Sequence, residues 1–527
     1  MAAITIRRPA NLWGEGLLLL ACMAPSFLVG LYGLNRPYDA IPDQDMLWAS
    51  EALRLLRGVA PSYADHPGLF WTLTYKLYIS TLENLLGLQL LDQSGNILPA
   101  GLKTITALAR IENALLVGLC SALTYPLALL LSIRKPLAIA SCLILSLSSA
   151  TLVAVSEIRH EAISVLFLML FILCIGYSFR ENLNRAFSFA LSFMGLCFFF
   201  LAALSKQQVL LCSPLAFIAI VAALRLAQPH AYEARLRLLC NPRPQWLAIL
   251  LITASAPWLI SAHPDIDLIN LPAWFVINIG LSLGTSASFE NPKSKYPLIK
   301  ALLFIGAFEI FLFKIVIPNW WRQAVTGFPS WMFRHADQTN DHTAHTLGGI
   351  SIYLSELFTP YPIAAVALIG AALTGLLLAA RQNDSTGRGL NPGSMAMALA
   401  WLITLTILVA SSQRITSRYQ IYFFIPIVIL AAATTGTALP VGSQPVHRQL
   451  LLVSRAFTAT LLLTAFISSA THVINLKEFV NNGQPKSFLC FGQHMDRAMA
   501  LTSAAACKNF NEASRAKNQY DAWNGPQ

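Results

Sequence analysis

Charge is scarce in this chain. Asp, Glu, Lys and Arg make up only 12% of its 527 residues, against 56% that are hydrophobic, where a soluble domain usually carries about 25% charged residues. No soluble fold of this length hides so much apolar surface, and the water-soluble classes are excluded on that ground. Metal and redox spacings are missing too. The nine cysteines form no CxxC pair, and Cys22, Cys120, Cys142, Cys174 and Cys197 stand singly in apolar runs, where a thiol acts as a small hydrophobe. The absence of internal repeats and low-complexity tracts disfavours a transporter built from inverted halves. The opening apolar run has no small-residue cleavage site before Asn35, so it reads as an uncleaved anchor.

What is abundant is continuous apolar sequence, as in 190–204 and 450–470. Barrel strands alternate apolar and polar residues, and in lipid a backbone without alternation must satisfy itself as helix. The expected fold is an all-α polytopic membrane protein with about thirteen transmembrane helices, each near the ~20 residues that a span needs. The first runs from about 13 to 34. The rest fall roughly at 107–133, 137–155, 161–179, 187–204, 208–226, 246–262, 272–289, 297–318, 360–380, 395–411, 419–437 and 450–470.

The net charge of +11 sorts by side. Alternating spans put Arg7 and Arg8, Arg134 and Lys135, Arg180 and Arg185, Arg235, Arg237 and Arg243, Lys293 and Lys295, and Arg381 and Arg388 into the same set of loops. Basic short loops mark the cytoplasmic side. The segment 69–91 is apolar but carries Lys76, Glu83 and Asn84 among Trp, Tyr and Thr, and it reads as a helix lying in the outer interface. If it crossed, every later loop would change sides. Outside the membrane lie the first outer loop 35–106, a second outer loop 319–359 and a tail 471–527, beyond a membrane-embedded unit of 1–470. Cys490 and Cys507 lie in that tail, where a disulfide is plausible in an oxidising compartment.

Five polar clusters converge on the outer side. Asp43-Gln44-Asp45 follows the first span and precedes a short helical stretch that Gly58 stops, so Asp43 is either an N-cap or a functional carboxylate at a helix start. Asp65-His66-Pro67-Gly68 turns the chain into the interfacial helix, or is only a polar turn. In Glu157-Ile158-Arg159-His160-Glu161, Glu161 opens an apolar run and faces protein, where ionisable groups tend to be functional. Lys206 runs against the positive-inside trend; it is a snorkelling lysine or a point charge for phosphate. Arg414 and Arg418, with hydroxyls between them, suit a lipid phosphate or headgroups. The loop 334–345 holds His and Asp without the spacing of a helical zinc site. No metal or cofactor is assigned, a divalent ion stays open, and a loop over an active site is the other reading.

In these residues the chain resembles the GT-C glycosyltransferases of the protein O-mannosyltransferase and lipid A aminoarabinose transferase type. Those proteins carry an acidic pair after the first span, then a helix with a closing Gly; Asp43-Gln44 and Gly58 stand in those places, with Gln44 departing from the second acid and Asp45 beside it. Asp65-His66-Pro67-Gly68 resembles the family's Lys-Pro-Pro or His-Pro-Pro segment. Ala109-Arg110 resembles its Ala-Arg at the start of span two, Glu161 the acid that opens span four, and Ser205-Lys206 its Thr-Lys-Gly after span five. Arg418-Tyr419 and Pro426 resemble its late Arg-Tyr and Pro. The order is kept over roughly 1–470.

The resemblance implies an inverting transfer from a polyprenyl-phosphate sugar to a glycan, lipid or protein acceptor on the outer face. In that scheme Asp43, with Asp45 beside it, is the general base. Lys206 with Arg414 or Arg418 holds the leaving phosphate. Asp65, His66, Glu161 and Arg110 orient substrate. The setting would be a multi-pass protein of bacterial inner-membrane style, N-terminus cytoplasmic, C-terminus and active site periplasmic, with membrane lipids as neighbours and no nucleic acid. Two other readings use the same residues: a surface-glycan polymerase or ligase working through 319–359, and a lipid-linked sugar flippase, for which Glu309 between Lys300 and Lys314 is the midplane acid.

Overall fold

The computed structural model describes residues 12–35, 69–87, 99–130, 135–156, 158, 160–178, 185–205, 303, 306–307 and 445–482. Its helices are α1 (Leu12–Tyr32), followed by a 3-10 turn (Gly33–Asn35), α2 (Leu69–Leu86), α3 (Pro99–Leu130), α4 (Lys135–Leu147), α5 (Ser149–Ser156), α6 (His160–Ser178), α7 (Arg185–Ser205) and α8 (Pro445–Asn482). Three of them, α1, α3 and α6, contain stretches long and apolar enough to cross a membrane. Apart from residues 303 and 306–307, the expected spans from 208 to 437 lie outside the described residues, and with them the count of thirteen.

Hydrogen bonds and close approaches fix the direction of each helix. Glu15 and Lys135 pair at 2.6 Å, and the Ser26 N–H donates to Ser146 Oγ at 3.1 Å; both pairs are 120 residues apart. Buried Cys22 and Cys142 meet between them. A constant interval means that α1 and α4 run parallel in one register. The second rung sits beside Pro25, which has no N–H and disturbs the helical ladder around it, so the Ser26 N–H is satisfied across the interface.

Helix α3 runs the other way. Tyr125 donates to Glu15 at 2.8 Å, Gly118 faces Met23, and Gly30 faces Ala114. Cys120 Sγ meets the Ala162 carbonyl at 3.4 Å, and Leu130 lies against Gly176, which sets α6 parallel to α3. Ser164 Oγ donates to the Ala202 carbonyl at 3.2 Å while Gly195 lies against Ile175, which sets α7 antiparallel to α6. Phe167 stacks on Phe198 at 5.9 Å and Phe171 tilts against Phe199 at 5.6 Å along that seam. The direction therefore alternates from α1 to α3 to α4–α5 to α6 to α7, as the sequence alternation of spans requires. Because α1 and α3 are antiparallel, the chain between them, α2 included, makes no net crossing.

Small residues and satisfied hydroxyls hold the bundle, as expected where lipid gives no hydrophobic drive between helices. Ser121, Thr124 and Ser141 return their hydroxyls to carbonyls one turn back. Asn113 Nδ2 donates to the Ala154 carbonyl at 2.8 Å and ties α3 to α5. Helix α6 is the central member: 83% of its span lies inside the protein, against 22% for α1. The outer face of α1 shows Trp13, Leu17, Leu20 and Leu28, and that of α8 shows Leu463, Phe466 and Ile474, as a lipid-facing surface should. Helix α8 packs on α4, α5 and the 3-10 turn.

Four boundaries differ from expectation. The span expected at 137–155 is broken at Ser148, whose hydroxyl donates to the Leu145 carbonyl at 2.9 Å and accepts from the Thr151 N–H at 3.2 Å. Ser148 thus ends α4 and N-caps α5. Helix α3 starts at Pro99, ahead of its apolar stretch, with proline in the first-turn position it favours. Helix α8 continues past 470, so the first part of the expected tail is helix as far as Asn482; Cys490 and Cys507 lie outside the described residues. The interfacial segment ends earlier than expected, at Leu86, where Gly87 takes φ 62° as a left-handed helix stop.

Gly30 gives a direct test of the packing. A Cβ there would meet Ala114 Cβ at 2.5 Å and Val155 Cγ2 at 2.7 Å, whereas one at Gly16 meets nothing within 4 Å. Gly30→Val is expected to destabilise the detergent-solubilised protein by about 1–3 kcal/mol, the usual cost of overpacking, while Gly16→Ala leaves the unfolding midpoint unchanged or slightly raised. Equal midpoints for the two variants would contradict the close approach of α1, α3 and α5.

Candidate functional site

The registers sort polar residues to two ends of the bundle. One end holds Glu15, Tyr125 and Lys135, a structural cluster beside the basic loop that the sequence assigns to the cytoplasm. Toward the opposite end lie the 3-10 turn and Asn113, with the start of α6 and the end of α7 between the two ends.

Two of the expected site residues are described, Arg110 toward this second end and Glu161 nearer mid-height. Arg110 and Glu161 are each only 3% exposed, an unusual position for ionisable side chains unless neighbours hold them, and each does make polar contacts there. Glu161 sits in the first turn of α6, beside Ala162, whose carbonyl meets Cys120 of α3. Arg110 lies on α3, about 15 Å further along the axis than Cys120 at ~1.5 Å per residue. The two residues therefore lie on neighbouring helices at different depths, Arg110 toward the end and Glu161 nearer the middle of the bundle.

The antiparallel register of α6 and α7 brings a third position to this place. Ser164 is level with Ala202, so Glu161 is level with Ser205, the last described residue of α7 and fully buried. Lys206 is the next residue in the chain. Lys206 itself, with Asp43, Asp45, Asp65, His66, Arg414 and Arg418, lies outside the described residues. So do the loop 334–345 and Glu309. Among the described residues no group of three His, Cys, Asp or Glu side chains has the arrangement of a metal site.

Helix α2 covers this same end, packing on α3 and α7. Tyr75, fully buried, contacts the backbone at Ala109 and faces Glu112. Its ring lies 6.1 Å from that of Tyr78. Burial first, and then the neighbouring Glu112 and Tyr78, raise the Tyr75 phenol well above the ordinary tyrosine value. Burial and then Glu112 raise Tyr78 in the same direction. Both phenols therefore stay protonated and remain hydrogen-bond donors. Glu112 was missed in the sequence reading, which stopped at Arg110. Its signal was available: an acid inside an apolar span is a functional candidate by position alone.

No protein-family model matches this chain, and no curated protein matches it in sequence. Solved structures do. The oligosaccharyltransferase of Archaeoglobus fulgidus in its apo form is similar at a TM-score of 0.50 and 10% identity, over 94% of this chain and 60% of that one. The archaeal oligosaccharyltransferase AglB of Archaeoglobus fulgidus with an inhibitory peptide and a dolichol-phosphate gives 0.47 at 10% identity, over 93% and 60%. The enzyme with Zn and sulfate gives 0.44 at 10% identity, over 92% and 57%. This chain spans about 60% of the length of the apo enzyme, and the likeness to that structure is one of fold. It agrees with the GT-C resemblance at that level.

Proposed function

We propose that the protein is an inverting glycosyltransferase of the protein O-mannosyltransferase and lipid A aminoarabinose transferase type, moving a sugar from a polyprenyl-phosphate donor to an acceptor on the outer face of the membrane. The observation that carries the reading is the burial of Arg110 and Glu161 on neighbouring helices, with Glu161 level with the end of α7 just before Lys206. The fold shared with an oligosaccharyltransferase supports it.

The chemistry follows from the residue types. Asp43 takes the proton of the acceptor hydroxyl as that oxygen attacks the anomeric carbon. The bond from that carbon to the phosphate oxygen breaks on the opposite face, so configuration inverts. The leaving group is a phosphate ester, already a stable anion, and needs charge stabilisation more than acid help. Lys206, with Arg414 or Arg418, supplies it, a kind of contact worth several kcal/mol when preorganised. Glu161, level with Ser205, positions Lys206 or a sugar hydroxyl. Arg110, Asp65, His66 and Asp45 orient donor and acceptor. The isoprenoid chain lies between helices, which is why a lipid donor needs a membrane enzyme.

Asp43→Asn is expected to lower transfer of labelled sugar from a polyprenyl-phosphate donor by about 10²–10⁴, the range of a lost general base, with donor binding kept. Full activity would remove Asp43 from the role. Lys206→Ala is expected to weaken donor binding at least tenfold, and unchanged affinity would reject the phosphate assignment. Orientation is tested by labelling in a cysteine-free background. A membrane-impermeant maleimide should reach Asn35→Cys in intact cells and Lys135→Cys only after permeabilisation. The reverse pattern would put the site on the cytoplasmic face.

A further inference from the structure

A residue outside this scheme sits within reach of it. Glu112 projects from α3 at the end where α2 packs over α3 and α7. Its Oε2 atom is buried and has no hydrogen-bond partner among the described residues. A buried acceptor left without a donor is costly, and such atoms call for a specific explanation. Tyr75 and Tyr78 of α2 face it, one ring fully buried and the other half-buried, 6.1 Å apart. An acid with aromatic neighbours is poorly suited to a phosphate, since it offers no positive charge. It is well suited to a neutral polyol, whose O–H groups donate to the carboxyl and whose C–H faces lie on rings.

We propose that Glu112, Tyr75 and Tyr78 form a subsite for the hydroxyl groups of the transferred sugar, with Glu112 Oε2 accepting from one sugar hydroxyl and the tyrosines bounding it. The inference rests on the glycosyltransferase reading and adds to it the group that senses the sugar rather than the lipid phosphate. Its place fits. The 3-10 turn that leads toward Asp43 packs on α3 at this end, and α7, on which α2 also packs, ends just before Lys206. Glu112 is a positioning residue in this scheme and takes no part in bond making.

The test compares two probes on the full-length protein in nanodiscs: polyprenyl-phosphate hexose, and polyprenyl phosphate without a sugar. Glu112→Gln is expected to weaken the hexose lipid at least fivefold while shifting the bare phosphate lipid less than twofold. Tyr78→Phe, which keeps the ring and removes only the hydroxyl, gives a second reading of the same ratio should the first variant fold poorly. If the ratio of the two affinities is the same in wild type and in the folded variants, the subsite is overturned and Glu112 is structural. If wild type binds neither lipid, the donor reading itself falls, and that result is distinct from the first.

Discussion

Everything in this molecule is arranged around the cost of a polar group that lipid cannot satisfy. Most described polar side chains inside the bundle find a carbonyl one turn back or on a neighbouring helix, as Ser164 does with Ala202 and the Asn113 amide with Ala154, Thr106 being an exception. Where Pro25 disturbs a helix, the adjacent N–H is met by Ser146. The described ionisable groups differ in their settings. Glu15 and Lys135 are about half exposed and pair only with the fold. Arg110 and Glu161 are enclosed, which costs desolvation and is hard to explain by stability alone.

The same cost explains what the sequence revealed. Spans were legible because a helix in lipid must be apolar for a fixed length: 13–34 became Leu12–Tyr32, 161–179 became His160–Ser178, and 187–204 became Arg185–Ser205. Hydropathy could not show the break at Ser148, which depends on one hydroxyl acting locally as a cap. Nor could it show where α3 and α8 run on beyond their apolar stretches, because a helix that leaves the membrane keeps its hydrogen bonds while its composition changes. The non-crossing of α2 was an inference from charge balance, and the antiparallel directions of α1 and α3 give it a geometric footing.

The site was legible in part. Arg110 and Glu161 were singled out through their places in an ordered set of short motifs, and both side chains are buried, their part in the site being a proposal. Glu112 was passed over because its significance comes from a helix distant in sequence: Tyr75 and Tyr78 reach it only when α2 folds over α3. Pairings of that kind leave no spacing to read.

The parallel ladder between α1 and α4 also bears on how the chain is made. The Glu15–Lys135 and Ser26–Ser146 rungs need partners synthesised 120 residues apart, so the opening helix enters the bilayer long before its own interface exists. Until then its polar rungs have nothing in the bundle to meet. Helix α8, near the opposite end of the sequence, then lies along α4, α5 and the 3-10 turn. Biogenesis of this bundle thus requires the opening helix to wait in the bilayer for a partner made about 120 residues later, with α8 added to that seam afterwards.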